Sequence, residues 1–211
     1  MTTEVASPPA GLRERKKQQT RAALHRSALE LVSANGVCQV TTEQIAERAG
    51  VSARTFFNYF PTKESAILGM GPDQAGRVAQ WLRDEPAEVT PEEAVRSCFT
   101  RYALELAADK DLWKLRHSVV RSNPSITQAM AAISSAVERA VAEALAERMG
   151  VSPQDDLRPH LVVSVIWAAI RAGLAHSREH EVPVQEAIDE TLGLFDDWAH
   201  TTAGPPIRST S

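Results

Sequence analysis

The chain has 211 residues, of which 43% are apolar and 24% charged, and its net charge is −4. That length buries a substantial core and that composition is globular, which excludes fibrous and low-complexity classes. No apolar run approaches the ~20 residues that cross a bilayer, no secretory signal opens the sequence, and Cys38 and Cys98 are too few and too distant for a disulfide framework or a thiolate metal site. A cytoplasmic protein with no membrane association is expected.

Residues 1–11 hold Ser, two Pro and Gly without periodicity and are expected to be disordered. A helix over about 13–35 follows, with Leu24, Ala28, Leu31 and Val32 as its buried stripe and Gly36 as its stop. Its start is basic: Arg13, Arg15, Lys16, Lys17, Arg21 and Arg26 are interrupted only by Glu14. Residues 1–65 carry nine Lys/Arg against six Asp/Glu, whereas the rest carries fourteen against twenty-one. Positive charge is thus gathered at the amino end, where it suits phosphates; taken by itself it also suits a solvated helix face.

The most informative stretch is 41–64, TTEQIAERAGVSARTFFNYFPTKE. Thr41 with Gln44 three places on forms a capping-box pattern, and Ile45, Ala46 and Ala49 give the next helix an apolar face. Gly50 suits the left-handed turn, Val51 plugs it, and Ser52 caps a second short helix. In that helix Phe56 and Phe60 share one face, while Ala53, Arg54, Thr55, Asn58 and Tyr59 are left to face outward at least in part. Pro61 stops it, and Thr62-Lys63-Glu64 starts another. This is the layout of a helix-turn-helix, whose second helix enters the major groove. Arg54 can bind guanine in bidentate fashion, and Thr55 and Asn58 can bond base edges. Thr42, Ser52, Tyr59, Lys63 and Arg21 suit phosphates, which fix register without reading sequence. A plain helical hairpin with a solvated polar face has the same outline.

Downstream only helices are expected: about 73–83 after the breakers Gly69, Gly71 and Pro72, then from Thr90, 111–122, 125–149, 155–179 and 184–200, with a loose tail over 203–211. Leu161, Val162, Val165, Ile166, Ile170 and Leu174 on the penultimate helix, and Ile188, Leu192, Phe195 and Trp198 on the last, make stripes wider than one partner needs. A two-fold dimer through these helices is the preferred reading, with a wholly intrachain core as the alternative. It would give one recognition helix a second copy, so that a palindromic site is read.

The residues from Gln18 to Leu68 resemble the TetR-type (tetracycline-repressor-like) transcriptional regulators. The resemblance is carried by Thr20-Arg21, Ala28-Leu29-Leu31, Gly36, Thr41, Ile45-Ala46, Ala49-Gly50-Val51-Ser52, Thr55, Phe57, Tyr59-Phe60 and Lys63-Glu64. Two positions depart from the family pattern: Arg54 stands where Gly is frequent, and Phe57 where Tyr is frequent. The resemblance implies an all-α protein of about nine helices, with a three-helix DNA-binding domain at 12–61 and a larger ligand-binding and dimerisation domain at 62–203. It implies a homodimeric repressor on double-stranded palindromic operator DNA, released by a small-molecule effector. Candidate pocket residues are Trp81, Phe99, Tyr102, Trp113, Met130 and Trp167, all of them also ordinary core residues. Arg116 and Arg121, near His117, and Arg171 within an apolar run are candidate partners for an anion, or for Glu105 or Asp109. The downstream region is similar to that of actinobacterial members associated with acyl-CoA-like ligands, which implies that class or another anionic, apolar effector.

Other classes find less support. His176 and His180 are spaced to share a metal but lack a general-base Glu between them, and no phosphate loop, nucleophile elbow or Cys/His pair occurs. No catalytic residue, metal or cofactor is therefore expected. The alternative is a helical ligand-binding module or small enzyme without DNA binding.

Overall fold

The computed structural model describes residues 10–71 and 73–202, so the expectations for residues 1–9, for Pro72 and for 203–211 lie outside the described residues, while Ala10 and Gly11, expected to be disordered, open the first helix. Among the described residues there are ten α-helices and no strand: α1 (Ala10–Asn35), α2 (Thr42–Arg48), α3 (Ala53–Tyr59), α4 (Lys63–Leu68), α5 (Gln74–Asp84), α6 (Pro91–Ala107), α7 (Lys110–Ser122), α8 (Pro124–Met149), α9 (Arg158–His180) and α10 (Val184–Thr202). A 3-10 turn at Val37–Gln39 joins α1 to α2. The all-α expectation is met, with ten helices where about nine were expected.

The chain forms two compact units. One comprises Met1–Gln74 with Asp111–Ile133, the other Ala75–Lys110 with Ser134–Ser211. Helix α7 falls in the first unit.

In the first unit Leu24, Ala28, Leu29 and Val32 of α1 meet Ile45, Ala46, Phe56, Phe60 and the Ala66-Ile67-Leu68 run of α4, all at most 3% exposed. Leu31, expected in the stripe, is half-buried. Gly36 ends α1 at φ 81°, a conformation that costs a Cβ-bearing residue. The end of α4 is held by three side chains, two of them cationic. Arg21 Nη2 donates to the Gly69 carbonyl at 3.1 Å, the His25 Nδ1–H to the Ala66 carbonyl at 2.8 Å, and Arg116 Nη1 to the Leu68 carbonyl at 3.5 Å. Carbonyls left over at a helix end carry partial negative charge, so cations collect there. Gly69 is needed twice over: φ is 70°, and a Cβ would lie 2.9 Å from the His25 ring.

In the second unit α6 opens on a Thr90/Glu93 capping box with Pro91 in its first turn. Arg148 of α8 closes the loop before it by donating to the carbonyls of Glu85 (3.0 Å), Pro86 and Val89 (2.6 Å). Phe99, Tyr102 and Trp167 stack, with ring centroids 4.8 and 5.6 Å from Trp167, whose Nε1–H donates to Ser134 Oγ at 2.9 Å. Helices α9 and α10 approach closely at Gly173, where a Cβ would meet the Ala187 carbonyl oxygen at 2.9 Å. Asp196 of α10 pairs with Arg96 of α6. By length and composition α9 could cross a membrane; here it packs on α6 and α10.

Candidate nucleic-acid interface

The interface is built from α2, α3 and the turn between them. Both halves of the Thr41/Gln44 capping box form: Gln44 N–H donates to Thr41 Oγ1 at 3.3 Å, and Thr41 N–H to Gln44 Oε1 at 2.9 Å. Gly50 takes φ 71°, and the N–H of Val51 returns to the Ala46 carbonyl at 3.0 Å. Ser52 then caps α3, accepting from Thr55 N–H at 3.1 Å and sharing a hydrogen bond with Thr55 Oγ1 at 2.9 Å. Phe56 and Phe60 are wholly buried, which fixes the orientation of α3.

With that stripe inward, Arg54 and Asn58 are exposed, Ala53, Thr55 and Tyr59 half-buried, and Phe57 is 53% exposed beside them. At 100° per residue Arg54, Phe57 and Asn58 fall on one face, opposite Phe56. From sequence Phe57 stands out only as a departure from the family's frequent Tyr. Its position off the Phe56/Phe60 stripe and three residues beyond Arg54 was the available signal.

Besides Ser52, three residues read as phosphate contacts have internal partners. Arg21 is tied to Gly69 and to Gln74 Oε1 (3.4 Å), with its guanidinium 5.4 Å from the Phe60 ring centre. Lys63 Nζ donates to the carbonyls of Val37 (2.8 Å) and Val40 (3.2 Å). Thr42 Oγ1 donates to Glu43 at 3.1 Å. The Glu43 carboxyl is held below its ordinary range, first by its own backbone N–H and then by the Thr41 and Thr42 hydroxyls, so it stays anionic beside that threonine. Of the basic start of α1, Arg15, Lys16, Lys17 and Arg26 are exposed; the Arg13 side chain lies outside the described residues.

The residues read as lining an effector pocket divide between the units. Trp113, Arg116, Arg121 and Met130 belong to the first; Trp81, Phe99, Tyr102, Trp167 and Arg171 belong to the second. Phe99, Tyr102 and Trp167 are packed core. Trp81 is buried, with the guanidinium groups of Arg77 and Arg101 4.8 and 4.1 Å from its ring centre. Arg171 is exposed, so water meets the charge that its apolar neighbours in sequence suggested was buried. An open groove of about 740 Å³ lies along α6 and α10, with Arg96, Arg101, Leu104, Glu105, Asp189 and Leu192 in its lining.

Residues 24–67 match the family model for bacterial regulatory proteins of the tetR family, and 89–198 match the MftR C-terminal domain. The HTH-type transcriptional regulator TcmR of Streptomyces glaucescens is 35% identical over 209 residues, covering 89% of this chain and 90% of that one. The chain belongs to the TetR family. Among solved structures, Thermus thermophilus FadR, a TetR-family transcriptional repressor in complex with lauroyl-CoA, is 25% identical with a TM-score of 0.50, covering 90% of this chain and 99% of its own. The Bacillus halodurans fatty acid degradation regulator FadR shares the fold at 18% identity and a TM-score of 0.51, covering 83% of this chain and 93% of its own. As a TetR-family member the chain is a ligand-responsive, DNA-binding transcriptional repressor and not an enzyme.

Proposed function

We propose that two copies of this TetR-family chain pair through the outer faces of α9 and α10 and lay their two α3 helices into major-groove half-sites of a palindromic operator. What supports the pairing is the way the wide stripes of α9 and α10 divide. Val163, Ile166, Ile170 and Ile188 face inward and are buried, while Leu161, Leu194 and Trp198 are each 63% exposed. Apolar surface of that kind on two neighbouring helices marks a protein interface.

The observation that carries the DNA reading is the Arg54–Phe57–Asn58 face, held outward by Phe56 and Phe60. Arg54 takes a guanine edge, Asn58 an adenine edge, and Phe57 a thymine methyl, with Ala53 small enough to allow close approach. Thr55 adds a bond to a base edge, while Ser52, Tyr59 and the remaining proton of Lys63 meet phosphates, joined by exposed Arg15, Lys16 and Lys17. Residues 12–61 serve as the reading head and 62–203 as the sensing and pairing region. The protein works in the cytoplasm, where a bacterial operator lies.

The effector is a long-chain acyl-CoA or a related anionic, apolar molecule. Its support is the lauroyl-CoA held by the Thermus thermophilus relative. The α6–α10 groove offers Leu104 and Leu192, but its two arginines are balanced by Glu105 and Asp189, so it does not by itself select an anion. Such a ligand releases DNA only through unequal affinity for the DNA-competent and DNA-incompetent states. Fluorescence anisotropy on DNA selected from a random pool tests both parts. The proposal expects salt-dependent, sequence-selective binding that lauroyl-CoA reverses at saturation. Unchanged affinity with saturating lauroyl-CoA would remove the effector, and no selection of a sequence would remove the operator.

A further inference from the structure

His176 and His180 lie four residues apart at the carboxyl end of α9, with ring centres 4.4 Å apart and planes inclined by 37°. Side chains at that spacing stand on one helix face, one turn apart. Neither ring is buried. The carboxylate of Glu190, from α10, comes within 3.9 Å of His176 Nε2. Close packing of the two helices puts it there. Gly173, one turn before His176, lets the α10 backbone approach, and Ser177 Oγ–H donates to the Val182 carbonyl at 2.7 Å, fixing the connection between α9 and α10.

We propose that His176 and His180 form a bidentate site for a first-row divalent cation of the imidazole-preferring class, Zn²⁺ above all, with Glu190 as a third ligand. Two nitrogens on one tetrahedral ion at about 2.0–2.1 Å stand roughly 3.3 Å apart, a span two rings in this arrangement reach by small side-chain rotations. Among the described residues no three His, Cys, Asp or Glu side chains already surround one point, so Glu190 joins by turning its carboxylate toward the pair, and water completes the shell. The surroundings favour a cation. The leftover carbonyls at the end of α9 carry partial negative charge, and Glu179 and Glu181 flank His180 in sequence, with Arg178 between the two histidines. Neutral imidazole with carboxylate suits Zn²⁺, and Cu²⁺ binds the same ligands more tightly. The ion ties the end of α9 to α10. The histidine pair lies fifteen residues from Leu161, roughly 22 Å along α9, whereas Glu190 stands one turn of α10 before Leu194.

Full-length protein freed of metal with EDTA and titrated with ZnCl₂ by calorimetry, and with CoCl₂ by visible absorption, tests this. The expected result is one ion per chain in the micromolar range, with a cobalt spectrum of nitrogen and oxygen ligands and no thiolate charge-transfer band. H176A and H180A should each weaken binding by about tenfold or more, and E190Q by a few-fold. H180A removes an exposed side chain and leaves the core untouched, so its circular dichroism should match the parent. Binding that both histidine variants leave unchanged, or no saturable binding below millimolar zinc, would overturn the site.

Discussion

Lys63 Nζ donates to the Val37 carbonyl at 2.8 Å, which ties the first residue of α4 back to the turn leading into α2. With the Val40 carbonyl at 3.2 Å as its second acceptor, the ammonium holds both ends of the Val37–Gln39 turn. A residue read from sequence as a phosphate contact is thus first a fastener of the reading head.

Lys63→Ala should therefore lower stability as well as affinity. Hydrogen bonds from a charged donor contribute about 1.5–3 kcal/mol, and a chain of this size loses roughly 2–4 °C of Tm per kcal/mol. Thermal unfolding without DNA reads the first effect. The slope of log affinity against log salt reads the second and should fall by about one if the third proton meets a phosphate. An unchanged Tm would deny the fastening role.

Phe57 gives a sharper test of base reading. Replacing thymine by uracil deletes one methyl and leaves every hydrogen-bonding group in place. At one thymine per half-site the substitution should weaken binding by about 0.8 kcal/mol, roughly fourfold. Phe57→Ala should bind the two DNAs equally. A variant that still discriminates would place the methyl elsewhere.

Gly173 and Gly76 both sit inside helices but predict opposite outcomes. A Cβ on Gly173 meets the α10 backbone at 2.9 Å and forces α9 and α10 apart, so Gly173→Ala should destabilise by about 1–3 kcal/mol. Nothing lies within 4 Å of a Cβ on Gly76, so Gly76→Ala should stabilise by about 0.5–1 kcal/mol through helix propensity. Urea denaturation of the two variants decides the matter by sign.

The two thiols should differ in reactivity. Cys38 is exposed, whereas Cys98 is buried and its thiol is pushed up to about 12 by desolvation. The native protein should react with Ellman's reagent at pH 8 through one thiol, Cys38→Ser should abolish that phase, and urea should expose the second. Rapid modification of both in the native state would contradict the burial of Cys98.

The reading head was legible because its signals are local. The Thr41/Gln44 capping box, Gly50 and the Phe56/Phe60 spacing each act within a few residues, and each forms as the sequence implies. The start of α9 was misjudged for an equally local reason: Asp156 accepts from Arg158 N–H at 2.9 Å and Pro159 sits in the first turn, so the helix begins three residues later than 155. What the sequence hid was pairing between distant residues. Arg21 with Gly69, Lys63 with Val37 and Arg96 with Asp196 are separated by tens of residues, and free cationic ends look alike until the fold supplies their acceptors. The effector candidates were least legible, because buried aromatic residues lining a pocket and buried aromatic residues filling a core carry the same pattern.

Methylation interference on selected operator DNA tests the central claim most directly, since methylating guanine N7 blocks the group that Arg54 is held to read. Two symmetric clusters of interfering guanines on one face of the duplex, both erased by Arg54→Ala, are the predicted result. Interference at a single half-site, or an Arg54→Ala protein that retains both clusters, would contradict it.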